Sequence, residues 1–446
     1  MAFYNFNPFN KDINQITSED LYILRDVSEG WYLDYKEKSI DIKSIAKHMS
    51  AFANQYGGWL FFGVKESPEK TAESFPGIEH KDIGKLSTAI REAISAHVNP
   101  EVYYEEKVIH GPSEKIGLSD SRAIYVIYIP EGKRPPYIHS SGKIYRRVAD
   151  HSDPKAETDR YVLDKLWEKS QKNNKNFEKF LSNRPHYHDI NTPIAYIHLF
   201  TDPYFIKRFD RLKFDDFKNS LIGIKDGKPK IPMNTFYSAH RGYIARQTKH
   251  NNPLLPVLSF RWWHSGTALL IIPFNSYSND RLIEEYKSSD NPLSFIKEKK
   301  KHDLGSTENC DLNYFFSVLA GLYNQFLELK NITNNDGEIC ASIKIVNTFN
   351  VIPFIDDSEY IKRVVKYGIP LVFDEDIIIP EVRQPEFLIK IDSEDTKTDA
   401  DVLDAFVKVG LLAAYVLSAF GCVGAPEEIV KYKSLLGPSK DKKYIT

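Results

Sequence analysis

Four side chains near the start of the chain are of the types that metal-dependent cleavage of phosphodiesters uses. Glu29, Asp34 and Glu66 are carboxylates, and Lys36 follows the second of them closely. Three convergent carboxylates repel one another unless a hard cation neutralises them, and Mg²⁺ or Mn²⁺ takes oxygen ligands of this kind. The bound ion would activate water, and Lys36 would hold a phosphate oxygen. These residues therefore predict a nuclease site, although a solvated acid–lysine face is the simpler interpretation of the spacing alone.

The local chain decides whether the three acids can meet. The residues around Asp34 alternate as a strand, so Asp34 and Lys36 share a face and Glu29 has the opposite parity. Gly30 allows the chain to bend, which would bring Glu29 back towards Asp34. Glu66 follows a buried strand, and functional sites collect at the ends of such strands in α/β units. We therefore expect the acids to converge through a bend at Gly30.

The elements that position these residues are predicted from periodicity and turn residues. Apolar residues at helical spacing predict a helix over 41–54, and its last residue, Asn54, is expected to cap the C-terminus. Gly57-Gly58 predicts a tight turn with positive φ, and 59–64 is apolar throughout, as a strand buried on both faces is. The same reasoning predicts helices over 17–25, 82–97 and 157–169 and strands over 31–36, 101–109, 122–129 and 143–148.

Composition limits the kind of nucleic-acid contact that the chain can make. The 446 residues carry 59 basic and 61 acidic side chains, a formal net charge of −2, so any contact must come from a local patch. Arg146 and Arg147 point to opposite faces of a regular strand, so we expect only one of the two to contact nucleic acid. The best candidates for phosphate contacts are Lys36, Lys38, Arg91, Arg146 and Arg147.

The chain is long enough for two or three domains. We predict a first domain over 1–170, a polar linker over 171–189, and a larger α/β domain of unknown type over 190–446. In the larger domain, long helices are predicted at 280–302, 311–330 and 398–420. The Lys299–Lys301 run is interpreted as a solvated helix end. We expect this domain to serve in sensing, oligomerisation or partner binding.

The cellular location is predicted from cysteine spacing and hydropathy. Cys310, Cys340 and Cys422 lack the spacing of a structural zinc site, which favours a reducing compartment. The N-terminus has no charged region followed by an apolar run. The most apolar stretch, 409–423, is short of the ~20 residues that a membrane span needs. We therefore expect a cytoplasmic protein without a membrane segment.

The segment from Glu29 to Glu66 resembles the AlbA-type domain of the Schlafen family. The family pattern is a Glu, then an acid–aromatic–Lys triplet, then AFANT.GG.L.IGV and an acidic pair. Here it reads Glu29, Asp34-Tyr35-Lys36, AFANQYGGWLFFGV over 51–64, and Lys65-Glu66. A later YxR-like element is similar to Ile144-Tyr145-Arg146-Arg147. The similarity extends over roughly residues 17–165.

This resemblance implies an α+β fold whose N-terminal third is a Schlafen/AlbA-like mixed α/β domain. In nuclease members of the family three acids form a metal-dependent RNase site. By motif position these acids fall on Glu29, Asp34 and Glu66, with Lys36 as the adjacent basic residue and Mn²⁺ or Mg²⁺ as the implied cofactor. Asp34 stands where a Glu is usual and Glu66 where an Asp is usual, so the reach of each side chain changes by one methylene.

The implied function is a metal-dependent endoribonuclease that acts on tRNA or other structured RNA, with antiphage defence as its expected setting. Two alternatives stay open: a non-catalytic nucleic-acid-binding regulator, and a subunit of a defence complex that a partner activates through residues 190–446. Family members that cut RNA build a clamp from two copies of the domain. The single copy found here therefore implies a homodimer, or a partner that supplies the second wall.

Overall fold

The chain divides into two compact units, Met1–Asn176 (unit 1) and Phe177–Thr446 (unit 2). Both combine helices with sheets, which confirms the predicted α+β fold class. Among the described residues, no helix is both long and apolar enough to cross a membrane. The computed structural model describes residues 6–148, 151–185, 187, 191–207, 209–222, 231–248, 255–335, 337–391, 401–424, 428, 431–432 and 435.

Unit 1 alternates helices with short strands. Its helices are α1 (Ile42–Asn54), α2 (His80–His97) and the first part of α3 (Arg160–Ser182), and 3₁₀ helices lie at Ile13–Gln15 and Asp20–Asp26. Its strands are β1 (Leu33–Lys36), β2 (Gly58–Phe62), β3 (Lys65–Glu66), β4 (Ala72–Ser74), β5 (Ile78–Glu79), β6 (Val98–Asn99), β7 (Glu105–His110), β8 (Arg122–Ile129), β9 (Ile138–His139), β10 (Tyr145–Val148) and β11 (His151–Ala156). The helix predicted over 17–25 is therefore a 3₁₀ helix, and the other predicted elements of this unit are present with shifted ends.

One mixed sheet forms the centre of unit 1. Its strands lie in the order β1-β2-β8-β5, and β7 also pairs with β8. β1 runs parallel to β2, and the other pairs are antiparallel. One face packs against the apolar stripes of α1 and α2, and the other against the N-terminal 3₁₀ helices. Leu33 and Tyr35 of the edge strand β1 enter the second core, so Asp34 turns towards α1, as the predicted parity requires.

The Gly57-Gly58 turn sets how α1 leads into β2. Gly57 has a φ of +75°, and a Cβ there would lie 2.6 Å from the carbonyl oxygen of Ile129. A Cβ at Gly58 would lie 2.4 Å from the Phe52 ring. Real Cβ atoms do not approach so closely, so packing alone accounts for glycine at both positions.

Asn54 does not cap α1. Its Nδ2 donates to the carbonyl oxygens of Tyr137 at 2.8 Å and Tyr145 at 3.0 Å, and its Oδ1 accepts from the Tyr137 amide at 2.7 Å. The predicted C-cap was wrong because these partners lie 83 and 91 positions away, outside any local helix pattern. The amide instead ties the end of α1 to the start of β10, which carries Arg147.

Helix α3 runs through most of the predicted linker. Residues 171–182 continue this helix, and the division between the units falls within it. Phe177 and Leu181 recur at helical spacing and pack in a small apolar cluster with Phe200. The expected linker over 171–189 rested on Asn and Lys content, which concealed this apolar spacing.

Unit 2 is built on a large antiparallel sheet of order β13-β14-β15-β16-β12-β19-β21, with β22 also paired to β19. A smaller sheet joins β17, β18 and β20. The strands are β12 (Ile194–Phe200), β13 (Thr235–Ala239), β14 (Gly242–Arg246), β15 (Ser259–Trp263), β16 (Thr267–Pro273), β17 (Ser276–Tyr277), β18 (Asn309–Asp311), β19 (Cys340–Val346), β20 (Pro353–Phe354), β21 (Asp376–Ile379) and β22 (Ile389–Lys390). The helices are α4 (Phe214–Ile222), α5 (Asn279–Glu285), α6 (Asn291–Lys301), α7 (Leu312–Ile332), α8 (Ser358–Tyr367) and α9 (Asp401–Ala419), with a 3₁₀ helix at Pro385–Phe387.

The helix predicted over 280–302 is two helices, α5 and α6. Pro292 lies in the first turn of α6, where its missing amide proton is tolerated and a continuous helix would not be. Lys299 is fully buried, and its ammonium donates to the Thr307 carbonyl at 2.7 Å and to Asn309 Oδ1 at 2.6 Å. Burial lowers the pKa of Lys299 to about 8. The interpretation of this run as a solvated helix end was therefore wrong for Lys299.

Candidate functional site

Asp34 is the centre of the predicted site, and it is fully buried. Its Oδ1 accepts from the Lys36 ammonium. Its Oδ2 accepts from the Arg147 guanidinium at 3.2 Å and contacts His48 Nδ1. Burial favours a raised pKa for Asp34, but His48, Lys36 and Arg147 outweigh it and hold the pKa well below its usual range. Asp34 is therefore an ionised carboxylate whose two oxygens are both engaged by protein groups.

Arg147 lies inside the protein and not on its surface. Its side chain is 0% exposed, and its guanidinium stacks 4.9 Å from the centre of the Phe52 ring. It donates to the carbonyl oxygens of Gly30 at 2.8 Å and Leu33 at 3.0 Å, as well as to Asp34. The expected role of Arg147 in nucleic-acid contact does not agree with this burial, because an enclosed guanidinium has no face left for a phosphate.

Glu29 lies near Asp34 but lacks its cationic partners. Residues 29–32 form the predicted bend, and Glu29 Oε1 accepts from the Tyr35 amide. Its Oε2 is buried and has no hydrogen-bond partner among the described residues. Burial, followed by the charge of Asp34, raises the pKa of Glu29 to about 8, although the hydrogen bond from the Tyr35 amide opposes this rise. At neutral pH, Glu29 is therefore mostly a neutral carboxylic acid.

Asp34 and Glu66 both lie within electrostatic reach of Glu29, but among the described residues the three acids are not arranged as a metal site. Glu66, on β3, is half-buried, and its charge contributes to the raised pKa of Glu29. Both oxygens of Asp34 are engaged by protein groups, Oδ1 by Lys36 and Oδ2 by Arg147 and His48. Among the residues that the structure describes, no group of three or more His, Cys, Asp or Glu side chains is arranged to hold a metal ion. As they stand, these residues do not fit one Mn²⁺ or Mg²⁺ ion shared by all three acids.

His48 is a site residue that sequence reasoning missed. It lies on α1 with 3% exposure, its Nδ1 contacts Asp34, and its Nε2 lies 3.6 Å from Asp153 Oδ1. Asp153, on β11, is 77% exposed and also pairs with the Lys47 ammonium at 2.9 Å. The sequence does contain a sign of this role, because His48 lies within the apolar, core-facing stripe of α1. A polar side chain at such a position needs a buried partner.

Four of the five predicted phosphate contacts reach the surface. Lys38 is exposed near the end of β1, and Arg91 is exposed on α2, where it lines a shallow pocket of about 340 Å³. Lys36 is 19% exposed and Arg146 is 25% exposed; the first pairs with Asp34 and the second with Glu157 at 2.6 Å. Lys36, Lys38 and Arg146 therefore belong to the neighbourhood of β1 and β10, whereas Arg91 lies on a separate element.

The comparisons with known proteins agree with this arrangement of motifs. Residues 29–156 match the family model described as Schlafen, AlbA_2. The N-terminal third therefore carries a Schlafen AlbA_2 domain, which confirms the predicted resemblance and suggests a nucleic-acid-related function. No curated protein matches the chain.

Several solved structures are similar to part of the chain. One is the crystal structure of the DIP2311 protein from Corynebacterium diphtheriae, at 13% identity and a TM-score of 0.21. The match covers 35% of this chain and 31% of that one, so the chain spans about a third of the length of this relative.

Proposed function

We propose that unit 1 binds nucleic acid and that a backbone phosphate takes the position where the Asp153 carboxylate now lies. The supporting observation is the set of groups around that carboxylate. Lys47 Nζ lies 2.9 Å from Asp153 and His48 Nε2 lies 3.6 Å from it. Lys36 also helps to lower the pKa of Asp153, after the larger effect of the hydrogen bond from Lys47.

A phosphate would suit this position better than Asp153 does. A carboxylate on an exposed hairpin is a weakly held anion, whereas a phosphate diester brings a full charge and two unesterified oxygens to the same donors. Buried contacts hold the groups around this position in place. Asp34 contacts His48, and Arg147 ties β10 of the β10–β11 hairpin to Asp34. The net charge of −2 also requires that binding come from such a local patch.

We expect Asp153→Asn to bind tRNA about fivefold more tightly than the wild type, because the competing carboxylate is removed. Lys47→Gln should weaken binding by a similar factor and lower the slope of log K against log salt by about 1. Fluorescence anisotropy with labelled tRNA over a salt series measures both effects. A DNA duplex of equal length as the second ligand tests whether RNA is preferred.

The matched control is Asp82→Asn, since Asp82 pairs with Lys85 at 3.0 Å on the surface of α2. It changes the net charge by the same amount as Asp153→Asn. If both variants raise the affinity equally, overall charge explains the effect and the phosphate position is rejected.

A second candidate is an endoribonuclease acting on tRNA or other structured RNA, and the orientation of His48 favours it. A buried carboxylate on Nδ1 leaves Nε2 directed at the proposed phosphate position, which is the geometry of a general base. His48 Nε2 would take the proton from a ribose 2′-hydroxyl as its oxygen attacks phosphorus. The bond from phosphorus to the 5′-oxygen then breaks, that oxygen takes a proton from water, and the products are a 2′,3′-cyclic phosphate and a 5′-hydroxyl.

Metal-dependent cleavage stays a prediction, and it would require a rearrangement at Asp34. Asp34 would have to release one of its protein partners before it could share Mn²⁺ or Mg²⁺ with Glu29 and Glu66. The unpartnered Oε2 of Glu29 is the one buried ligand atom in the described part of the site that such an ion would find open.

Incubation of tRNA with the full chain, in EDTA and in Mn²⁺, separates these possibilities. We expect cleavage in EDTA with cyclic-phosphate ends, a loss of about 100-fold or more in His48→Gln, and wild-type activity in Asp82→Asn. Cleavage that needs Mn²⁺ and survives His48→Gln would assign the chemistry to the acids. RNA left intact under both conditions would leave only the binding function. A role in antiphage defence would then require a partner protein that supplies the cleavage activity.

The role of unit 2 and the oligomeric state also stay predictions. A homodimer, or a partner that engages residues 190–446, would supply the second wall of an RNA clamp. Light scattering of the full chain with and without tRNA distinguishes a monomer from a dimer that RNA assembles.

A further inference from the structure

A second cluster of cationic side chains lies in unit 2, on the outer face of its large sheet. In β12 and β15, Ile197, Leu199, Phe260 and Trp262 point into the main core of the unit. The alternating residues His198 and Arg261 therefore lie on the opposite face. Both are paired in register with Leu269 of β16, so they sit in one row across three adjacent strands.

His198 is enclosed by aromatic rings and lacks a polar partner at one nitrogen. Its exposure is 3%, and its ring lies 5.7 Å from Phe180, 6.0 Å from Phe200 and 6.4 Å from Trp263. Among the described residues, its Nε2 has no hydrogen-bond partner. Buried polar atoms are nearly always paired, so this nitrogen calls for an explanation.

The guanidiniums of Arg261 and Arg383 lie within electrostatic reach of this imidazole, and that of Arg184 lies within reach of Arg383. Arg261 stacks 4.3 Å from the centre of the Trp263 ring, Arg383 donates to Ser182 Oγ at 3.0 Å, and Arg184 lies 4.8 Å from the centre of the Tyr196 ring. Within the described ranges, none of the three forms an ion pair with a carboxylate.

The pKa values of His198 and Arg383 indicate that positive charge is in excess in this cluster. Burial and the charges of Arg383 and Arg261 lower the pKa of His198 to about 3. Burial also lowers the pKa of Arg261 and Arg383, and the exposed Glu178 opposes the effect at Arg383. The Nε atoms of both guanidiniums are buried without hydrogen-bond partners in the described part of the chain.

We propose that Arg261, Arg383 and His198 form a binding site for a phosphate monoester. Half-buried guanidiniums without carboxylate partners are the usual protein donors for phosphate, and their planar forks match its oxygens. The bound anion would give the two Nε–H groups an acceptor, and it would allow His198 to take a proton and donate from Nε2. Arg184, at the rim, would add charge without being enclosed.

Two sources could supply this group, and they share its chemistry. A free nucleoside monophosphate would bring one terminal phosphate, and the 5′ end of an RNA strand would bring the same group. The inference does not rest on the proposed function of unit 1, because every residue that carries it lies in unit 2.

Calorimetry of the full chain with inorganic phosphate, 5′-AMP and 5′-phosphorylated or 5′-hydroxyl RNA tests the proposal. We expect saturable binding of phosphate and of at least one phosphorylated ligand. Arg261→Gln and Arg383→Gln should each weaken it by about tenfold or more. Tighter binding of 5′-AMP identifies a nucleotide site, and a preference for 5′-phosphorylated over 5′-hydroxyl RNA identifies an end-binding site.

The matched control is Arg281→Gln, which removes another ring-stacked arginine of unit 2, 5.1 Å from the centre of the Tyr277 ring. It should bind all ligands as the wild type does. A second readout is the His198 NMR resonance, whose titration should move towards the ordinary range in saturating phosphate, because the anion offsets the two arginines. No saturable binding, or binding unchanged in Arg261→Gln and Arg383→Gln, would overturn the proposal.

Discussion

Asp34→Asn is expected to lower the free energy of unfolding of unit 1 by about 3–5 kcal/mol. The amide keeps the shape of the carboxylate but not its charge. Lys36, at 19% exposure, can turn to water, whereas Arg147 is fully enclosed and would remain as an uncompensated buried cation. The lowered pKa of Asp34 also means that the wild type gains this stability above the ordinary pKa of an aspartate and loses it as the pH falls below about 4.

Hydrogen exchange of the β2 amides measures this effect in unit 1 separately from unit 2. The exposed pair Lys47–Asp153 supplies the control, because Asp153→Asn should cost about 1 kcal/mol or less. The double variant Asp34→Asn with Arg147→Met should regain part of the loss, since it removes the stranded charge. A cost for Asp34→Asn no larger than that of the control would show that Arg147 does not depend on this carboxylate.

Glu29 is expected to make the protein less stable as the pH rises. Its pKa goes from 4.5, the ordinary value, to about 8 in the folded chain, so the folded state holds a proton that the unfolded state releases. The stability from this group is present below about pH 4.5 and is lost as the pH rises through 8, by up to about 5 kcal/mol. Glu29→Gln should abolish this dependence and be more stable than the wild type at pH 9.

Unfolding curves at pH 5, 7 and 9 for wild type, Glu29→Gln and the control Asp82→Asn test this prediction. The control should keep the wild-type slope. Parallel slopes in all three proteins would mean that Glu29 ionises normally and that its buried Oε2 is solvated.

The sequence predicted the frame of the candidate site better than its chemistry. Alternation placed Asp34 and Lys36 on one face, and Gly30 marked the bend between Glu29 and β1. Both are local properties of the chain, so they can be predicted from short-range periodicity and residue type. The partners of Asp34 are not local, since Arg147 lies 113 positions away and reaches it only after β10 packs against α1.

The same difference explains the residues whose roles were missed. Arg147 and Lys299 were treated as surface charges because most basic residues lie at the surface. The pattern of charges along a sequence does not show which single cation is buried. His48 did leave one, as a polar residue inside an apolar stripe. In α3, by contrast, Phe177 and Leu181 were visible at helical spacing, but the Asn- and Lys-rich composition around them pointed to a linker.

The guanidinium of Arg147 has a further consequence for the open edge of the unit 1 sheet. β1 is the outermost strand, and its Leu33 carbonyl accepts from Arg147, whereas the preceding Tyr32 carbonyl accepts from the Trp59 amide at the start of β2. A side chain therefore occupies a backbone acceptor that a strand of another molecule would otherwise use. The Gly30 amide donates to the same carbonyl at 3.2 Å, so the bend and the residue that balances a buried charge together leave this edge acceptor less open to strand addition.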